Sequence, residues 1–198
     1  MRGFIALLAL ALMAWWLWVA FVPIHHAAGV LVRQEPEQLM LVGTQPPVVR
    51  QGWTLKPLAL YSIRARVLSK EHYAGDPSAD VAPYDLAVGW GPMSDSAVLE
   101  RLTVRQSYRF YRWQCWGALP VPEKDITSHS ANMHLIADND DVRESIASLR
   151  VGTLASMTGY LVEARHPSGP KPWRSSLRRD DAGDGACEVM LVRSLRKL

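Results

Sequence analysis

The hydrophobic pattern divides the chain into a short apolar segment and a longer mixed one. Residues 3–22 contain no charged residue and no proline, and Pro23 ends the run. At about 1.5 Å of helical rise per residue, this run spans roughly 30 Å, the thickness of the hydrocarbon core of a bilayer. The pattern therefore predicts an N-terminal transmembrane helix over residues 1–22, with the rest of the chain on one side of the membrane.

A cleaved signal peptide is the alternative interpretation of this run. Signal peptides have a shorter apolar core, followed by a small-x-small cleavage site. Here the run is longer and contains Trp15, Trp16 and Trp18, and His25 and His26 precede the nearest small residues. Tryptophans near one end of a span are typical of a membrane interface. We therefore expect a permanent signal anchor.

The basic residues that flank the run predict its orientation. Arg2 lies on the near side, and the first basic residue on the far side is Arg33. The positive-inside rule then keeps the N-terminus in the cytoplasm and exports the domain. We expect a single-pass protein of a bacterial inner membrane, with its domain in the periplasm.

Residues 23–56 are rich in proline, which breaks helices and removes backbone donors. This composition predicts a tether that either holds the domain clear of the lipid or wraps around it. Two apolar runs within it, Val30–Val32 and Leu39–Val42, are candidate edge strands. The domain proper is expected over residues 57–198.

In that domain the pattern predicts short strands and few helices. Apolar and polar positions alternate from Tyr61 to Val67, as in a half-buried strand. Further strands are expected over Asp85–Trp90, Val104–Trp116, Thr153–Glu163, Trp173–Arg178 and Cys187–Val192, and helices over Ser94–Leu102 and from Asp141 to Gly152. No β-α-β alternation is present. The fold class is therefore an N-terminal transmembrane helix plus an α+β domain, built as a small, mainly antiparallel barrel or half-open sheet with one or two short helices.

Two resemblances refine this expectation. The segment VGTLASMTGYLVEA, residues 151–164, resembles the strand with paired glycines of OB-type barrels, which implies an OB-like domain. The stretches SHSANMHLIAD, GYLVEA and WRSSLRRDDAGDGACEVMLV are similar to a group of uncharacterised bacterial proteins, in which one N-terminal helix precedes a small β-rich domain. That resemblance covers roughly residues 128–192 and implies an architecture without an activity.

The net charge and the cysteines bear on two questions, whether the protein binds nucleic acid and whether it contains a disulfide. The formal net charge of +3 is too balanced to favour nucleic acid as the main partner. Cys115 and Cys187 are the two cysteines. In an exported domain they are candidates for a disulfide, which would close a loop of about 70 residues and contribute about 4 kcal/mol. Two buried thiols are the alternative, and the sequence leaves both open.

The stretch Val104–Trp116 is the most aromatic of the chain and carries rings at alternating and adjacent positions. It is either a strand covered on both sides or a stacking platform for an envelope polymer. The candidate binding residues of such a platform are Tyr108, Arg109, Tyr111, Arg112, Trp113 and Trp116. An exported location disfavours nucleic acid as its ligand.

The densest polar cluster provides the candidate catalytic residues. A hydrolase can combine a serine, a histidine base and an orienting carboxylate. The candidates are Ser128, His129, Ser130, His134 and Asp138. No G-x-S-x-G elbow frames them. The alternative is that both histidines bind backbone in a turn.

Metal and cofactor chemistry have weaker support in the sequence. The i, i+5 spacing of His129 and His134 does not match a zinc motif, and DDAGDG lacks the ligand pattern of a calcium loop. No cofactor fingerprint is present, so we expect neither a metal nor a cofactor. The sequence favours a membrane-anchored, non-enzymatic protein that binds an envelope protein or polymer; the alternative is an envelope hydrolase that uses His129 or His134.

Overall fold

The structure, a computed structural model, describes residues 15, 22–43, 45–169, 171–178 and 186–198. Most of the regular structure in them is strand. The strands are β1 (Glu37–Met40), β2 (Val48–Arg50), β3 (Trp53–His72), β4 (Tyr84–Gly89), β5 (Leu102–Ser107), β6 (Phe110–Cys115), β7 (Ser130–Ala137), β8 (Leu154–Arg165), β9 (Trp173–Arg174) and β10 (Glu188–Lys197). Three short helices, α1 (Ser96–Leu99), α2 (Glu123–Ser128) and α3 (Asp140–Ala147), and a 3-10 turn at Gly91–Ser94 complete them. The predicted mostly β domain with few helices is confirmed.

The long strand β3 organises the sheet. Its side chains alternate between a buried inner row and a more exposed outer row from Trp53 to Ala65, as the sequence pattern predicts over part of this length. One edge of β3 pairs in turn with β2, β1 and β4, and the other edge pairs with β8. Twenty residues are thus long enough to serve four neighbouring strands.

Five strands are linked in a cycle of pairings. β3 pairs with β4, β4 with β7, β7 with β10, β10 with β8, and β8 with β3 again. All of these pairs are antiparallel except β7 with β10, which is parallel. The edge strands β1, β2 and β9 extend from this cycle, so the sheet as a whole is not a plain barrel.

The apolar interior has three parts. The main core joins the inner faces of β3, β4, β7, β8 and β10 and includes Ile63, Met133 and Met190. A second cluster contains Leu55, Ile136, Val162 and Leu191, so both faces of β7 and β10 are buried. A third cluster, with Leu68, Met93, Val98 and Ile126, lies under β5 and β6.

Two glycines permit close backbone contacts in the segment that resembles an OB-type strand. A Cβ on Gly159 would lie 2.0 Å from the carbonyl oxygen of Leu191, where β8 crosses the irregular part of β10. Gly152 has φ +88°, and a Cβ there would lie 2.0 Å from the carbonyl oxygen of Ile24. Any other side chain at either position would force the backbones apart.

The Pro-rich segment wraps the domain. The Ile24 N–H donates to Val151 O at 2.8 Å, and Val32 is buried in the main core. The Oγ of Ser94 accepts hydrogen bonds from the backbone N–H groups of Leu31 and Val32, both at 3.0 Å. β1 and β2 then pair with β3, so wrapping, one of the two roles predicted for the tether, is the one observed.

Several element predictions need correction. The predicted single strand Val104–Trp116 is a hairpin of two strands, since the chain reverses at Tyr108 and Arg109. The sequence does not show this turn, because neither residue is a glycine or an asparagine. Within the polar cluster, Ser130 to His134 lie on strand β7. His134 is therefore not in a turn, whereas His129 lies in the turn after α2 with its ring against the backbone oxygen of Asp125. Helix α1 is shorter than predicted and is capped by Asp95, and Asn139 caps α3.

Two predicted segments, the N-terminal anchor and the DDAGDG loop, lie largely or entirely outside the described residues. The predicted anchor does so, except for Trp15 and Val22, and so does the whole DDAGDG loop, residues 180–185. Within the part of the chain that is described, no helix combines the length and apolar character needed to cross a bilayer.

Candidate binding site

Strand β7 carries a buried polar stripe on the face that points away from the main core. Because side chains alternate along a strand, Ser130, Asn132 and His134 share one face, and Met133 and Leu135 face the core. All three polar residues are buried. Two of the predicted catalytic residues, Ser130 and His134, therefore lie beneath other elements.

The β5–β6 hairpin covers this stripe with its inner face. Gln106 donates to the side-chain oxygen of Asn132 at 2.7 Å, and Asn132 donates to the carbonyl oxygen of Arg109 at 2.9 Å. The hydroxyl groups of Tyr111 and Ser130 lie 2.7 Å apart, and burial raises the pKa of Tyr111. Tyr111 and Trp113 also pack against the third apolar cluster, so these two candidate binding residues hold the hairpin in place.

Arg109 fastens the tip of the hairpin to the sheet. Its guanidinium donates to the carbonyl oxygen of Ala82 and to Asp85 Oδ1, both at 2.9 Å, and to both carboxylate oxygens of Asp76 at 3.1–3.2 Å. The guanidinium carbon lies 4.0 Å from the ring centroid of Tyr73 and 5.7 Å from that of Trp173. We call this group, residues 73, 76, 85, 109 and 173, the Arg109 latch.

The latch changes the titration of its outer members. Burial alone would raise the pKa of Asp76, but hydrogen bonds from Ser78 and the charge of Arg109 outweigh burial, and the pKa of Asp76 is lowered. Burial raises the pKa of Tyr73, whose hydroxyl accepts a hydrogen bond from the backbone N–H of Arg109 at 3.0 Å. The ionised Asp76 is therefore matched to the guanidinium.

Asp85 and His134 form the deepest pair of the site. They lie directly opposite each other in the β4–β7 register, and Asp85 is 0% exposed. The His134 Nδ1 atom is 2.9 Å from Asp85 Oδ1 without a hydrogen bond between them, and the ring of Trp173 lies against the imidazole at 4.6 Å between centroids. Four buried polar atoms of the latch and its neighbours have no hydrogen-bond partner among the described residues, namely Asp85 Oδ2, His134 Nδ1, Arg109 Nε and Gln106 Oε1.

The predicted catalytic residues are not assembled into one site. Ser128 and His129 touch each other at 3.1 Å, and His129 Nδ1 also lies 2.9 Å from the backbone oxygen of Asp125. Ser130 donates to the backbone oxygen of Ile126 at 2.6 Å. Asp138 pairs with Arg50 at 2.6 Å and, through its other oxygen, with Arg193 at 2.7 Å. None of these contacts joins a serine, His134 and Asp138 in the order that a hydrolase needs.

Cys115 and Cys187 do not form the predicted disulfide. Cys115 lies at the far end of β6, and the Sγ of Cys187 lies 3.9 Å from the carbonyl oxygen of Arg109, just before the near end. Six residues of extended chain separate these ends, about 20 Å at 3.3 Å per residue. Disulfide formation requires Cα atoms within about 7 Å.

The outer face of the hairpin is exposed and basic. Arg105 and Arg112 stand directly opposite each other in the β5–β6 register, and neither forms an ion pair or hydrogen bond with the described residues. Phe110 lies on the same face, Tyr108 at the tip is 86% exposed, and Trp116 just beyond β6 is 81% exposed. We call residues 105, 108, 110, 112 and 116 the hairpin platform.

Two cavities lie elsewhere on the domain. One of about 290 Å³ opens at the end of the sheet between the loop before β4 and the start of α3, and its charged lining includes the Arg50–Asp138 pair. The other, about 240 Å³, lies on the outer face of β1, β3 and β8, and its lining combines Leu39, Leu60 and Tyr160 with polar and charged residues that include Glu37 and Arg193. The described residues contain no group of three or more histidine, cysteine or carboxylate side chains placed to hold a metal ion.

No protein-family model matches the chain, and no curated protein or solved structure matches it.

Sequence reasoning missed three residues that define the site. Asp85 was read only as the start of a strand, although a carboxylate within the apolar run DLAVGW is a signal of a buried ion pair. Asp76 has no distinguishing signal, because it stands among polar and turn-forming residues. Arg105 is not among the predicted binding residues, because only the position of the hairpin turn shows that it lies directly opposite Arg112.

Proposed function

We propose that the chain is a membrane-anchored, non-enzymatic binding protein of the bacterial cell envelope. In this proposal residues 3–22 hold it in the inner membrane and the β domain lies in the periplasm. The uncharged apolar run and its flanking charges support the anchor and its orientation.

The finer fold that we propose is an OB-like barrel. In chain order the five strands of the cycle pair as first–second–third–fifth–fourth–first, with the third and fifth parallel. This order is compatible with a five-stranded, partly open Greek-key barrel, and OB domains bind oligosaccharides and oligonucleotides on the face of their second and third strands. Here that face belongs to β4 and β7, and the inserted β5–β6 hairpin covers it. In this proposal the ligand therefore binds the exposed hairpin platform and not the covered face of β4 and β7.

The observation that carries the proposal is the pairing of Arg105 with Arg112. Like charges directly opposite each other in a sheet are destabilising, and no acidic side chain among the described residues compensates these two. A ligand of opposite charge would relieve the repulsion. Guanidinium groups bind carboxylates and phosphates through paired hydrogen bonds, and neighbouring aromatic rings provide flat apolar contact. We therefore propose an anionic glycan of the envelope as the ligand.

Direct binding tests this proposal. The full chain, in nanodiscs of zwitterionic lipid, would be titrated with polygalacturonate, dextran sulfate and neutral dextran at two salt concentrations. We expect polyanion binding that weakens with salt and no binding of neutral dextran. Arg105→Gln/Arg112→Gln should lower the affinity by about tenfold or more, because hydrogen bonds to charged groups contribute roughly 1.5–3 kcal/mol each.

The matched control is Arg64→Gln/Arg196→Gln. These two arginines are exposed and lie on either side of Ser156 on neighbouring strands, so the variant removes the same charge from another face. It should change the affinity less than twofold. Equal losses in both double variants, or no binding of either polyanion, would refute the proposed surface.

A further inference from the structure

Strand β1 is an open edge of the sheet. It pairs with β3 on one side and with no other strand of the described residues. The Leu41 N–H donates to Leu58 O at 3.4 Å, and the alternation of an antiparallel ladder then directs the backbone groups of Gln38 and Met40 away from β3. These two residues present their N–H and C=O groups to an additional strand.

This edge carries an exposed apolar side chain on each face, beside Glu37 on one face and Gln38 on the other. Leu39 is 65% exposed on the outer face, Met40 is 58% exposed on the opposite face, and Val42 just beyond is 96% exposed. Natural edge strands are protected by short length, charged side chains, proline or a bulge. β1 is short and carries the exposed Glu37, but it contains no lysine and no proline, and its register with β3 has no bulge. Such an edge is suited to a neighbouring strand.

An apolar row leads from β1 across the sheet. Leu39 lies opposite Leu60, and Leu60 lies opposite Tyr160, so the three side chains form one row on the outer face. The cavity of about 240 Å³ runs along this row. A strand added beside β1 would continue the row by one apolar side chain.

We propose that β1 pairs with β1 of a second copy of this chain, antiparallel about a twofold axis at Leu39. In this arrangement Leu39 faces its counterpart at a non-hydrogen-bonded position, and Gln38 exchanges backbone hydrogen bonds with Met40 of the other copy. Self-pairing in this register opposes no like charges, because Glu37 is the only charged residue of β1 and it meets Leu41 of the other copy. The two Glu37 side chains therefore do not oppose each other.

Disulfide trapping tests the predicted axis. Leu39→Cys would be introduced into the full chain in a Cys115→Ser background, in detergent. Opposed non-hydrogen-bonded residues have Cα atoms about 4.5 Å apart, within the range of a disulfide. We expect mild oxidation to convert most of this variant to a covalent dimer.

The matched control is Val49→Cys in the same background. Val49 is 63% exposed on the edge strand β2 and pairs with Thr54. Thr54 lies six residues from Leu60 along β3, about 20 Å, so the two copies of this cysteine would be about 40 Å apart. We expect this variant to remain monomeric on oxidation. Equal dimerisation of both cysteine variants would overturn the proposed axis.

Light scattering of the unoxidised chain provides a second readout. The wild-type mass should rise towards that of a dimer as concentration increases, and Met40→Lys should shift it towards the monomer. A wild-type chain that stays monomeric at about 100 μM, with Leu39→Cys oxidising no faster than Val49→Cys, would overturn the proposal. The hairpin platform is not altered by these variants, so the outcome is independent of the glycan-binding test.

Discussion

Lys70 shows how one side chain joins two elements at the residue scale. Its Nζ donates to the backbone oxygens of Ile146 and Leu149, both at 3.1 Å, and to that of Ala147, at the C-terminal end of α3. It also lies 4.6 Å from the ring centroid of Tyr84. These contacts favour the ammonium form, but burial outweighs them, and together with the nearby charge of Lys197 it lowers the pKa of Lys70 to about 8.

This pKa predicts a pH dependence of stability. Between about pH 8 and pH 10.5 the unfolded chain holds the Lys70 proton and the folded chain has released it, so the free energy of unfolding should rise with pH. One proton corresponds to at most ~1.4 kcal/mol per pH unit, and solvent screening of this half-exposed side chain reduces that figure. Urea titrations from pH 7.5 to 10 would measure the slope.

The Lys70→Met variant shows how much of the rise in unfolding free energy with pH comes from Lys70. It should remove the Lys70 part of the rise and leave the contributions of other groups that titrate in the same range. Identical slopes for wild type and Lys70→Met would show that the lysine keeps its usual pKa.

The orientation of individual rings could not be read from the sequence. Tyr111 and Trp113 turn inward against the third apolar cluster, whereas Tyr108 and Trp116 are exposed. The alternation was visible in the sequence, but which set faces inward depends on the hairpin that folds back over β7. In β7 the sequence alternates Ser130, Asn132 and His134 with apolar residues, a pattern that usually indicates an exposed polar face, so the burial of this stripe under the hairpin could not be predicted.

At the scale of elements, the β5–β6 hairpin is built on a strained turn. Tyr108 has φ +52° and Arg109 has φ +69°, the left-handed values that two-residue hairpin turns require and that glycine or asparagine usually provides. Two non-glycine residues in this region are costly, about 1–2 kcal/mol each. The Arg109 latch stabilises one of them. Tyr108 makes no such contact, and its strain is consistent with a role in binding.

Substitution at Tyr108 separates stability from binding. Tyr108→Gly should raise the free energy of unfolding by about 1 kcal/mol, because glycine adopts this conformation without strain. It should also weaken polygalacturonate binding, because the exposed ring is lost. Urea denaturation and a binding titration on the same preparation would check both effects.

Tyr108→Ala is the control for this prediction, since it removes the ring and keeps the strained backbone. It should weaken binding as Tyr108→Gly does and leave the stability close to that of wild type. A gain in stability with alanine as large as with glycine would contradict the strain argument.

Elements with strong local signals were predictable, and those without them were not. The capped helix α3 and the alternating strand β8 lie close to their predicted positions. β9 is shorter and β10 longer than predicted, because their lengths follow from pairing with β8. The turn at Tyr108 carries no turn residue, so its two strands were read as one.

At the scale of the whole molecule, the β5–β6 hairpin covers one face of the sheet and itself provides an exposed surface. β4 and β7 are covered by an inserted hairpin that is fastened by buried polar contacts, and the hairpin displays unmatched positive charge and rings. The general mostly β architecture followed from the sequence pattern. The place of the exposed surface did not, because it depends on contacts between residues far apart in the chain.

Hydrogen exchange of the full chain, with and without polygalacturonate, would test this account most directly. We predict added protection in β5 and β6, residues 102–115, and in Trp116, with little change in β1 or around the cavity at the start of α3. Protection centred on residues 79–84 and 138–143 would place the ligand in that cavity instead. That result, or no protection anywhere, would contradict the hairpin platform as the recognition surface.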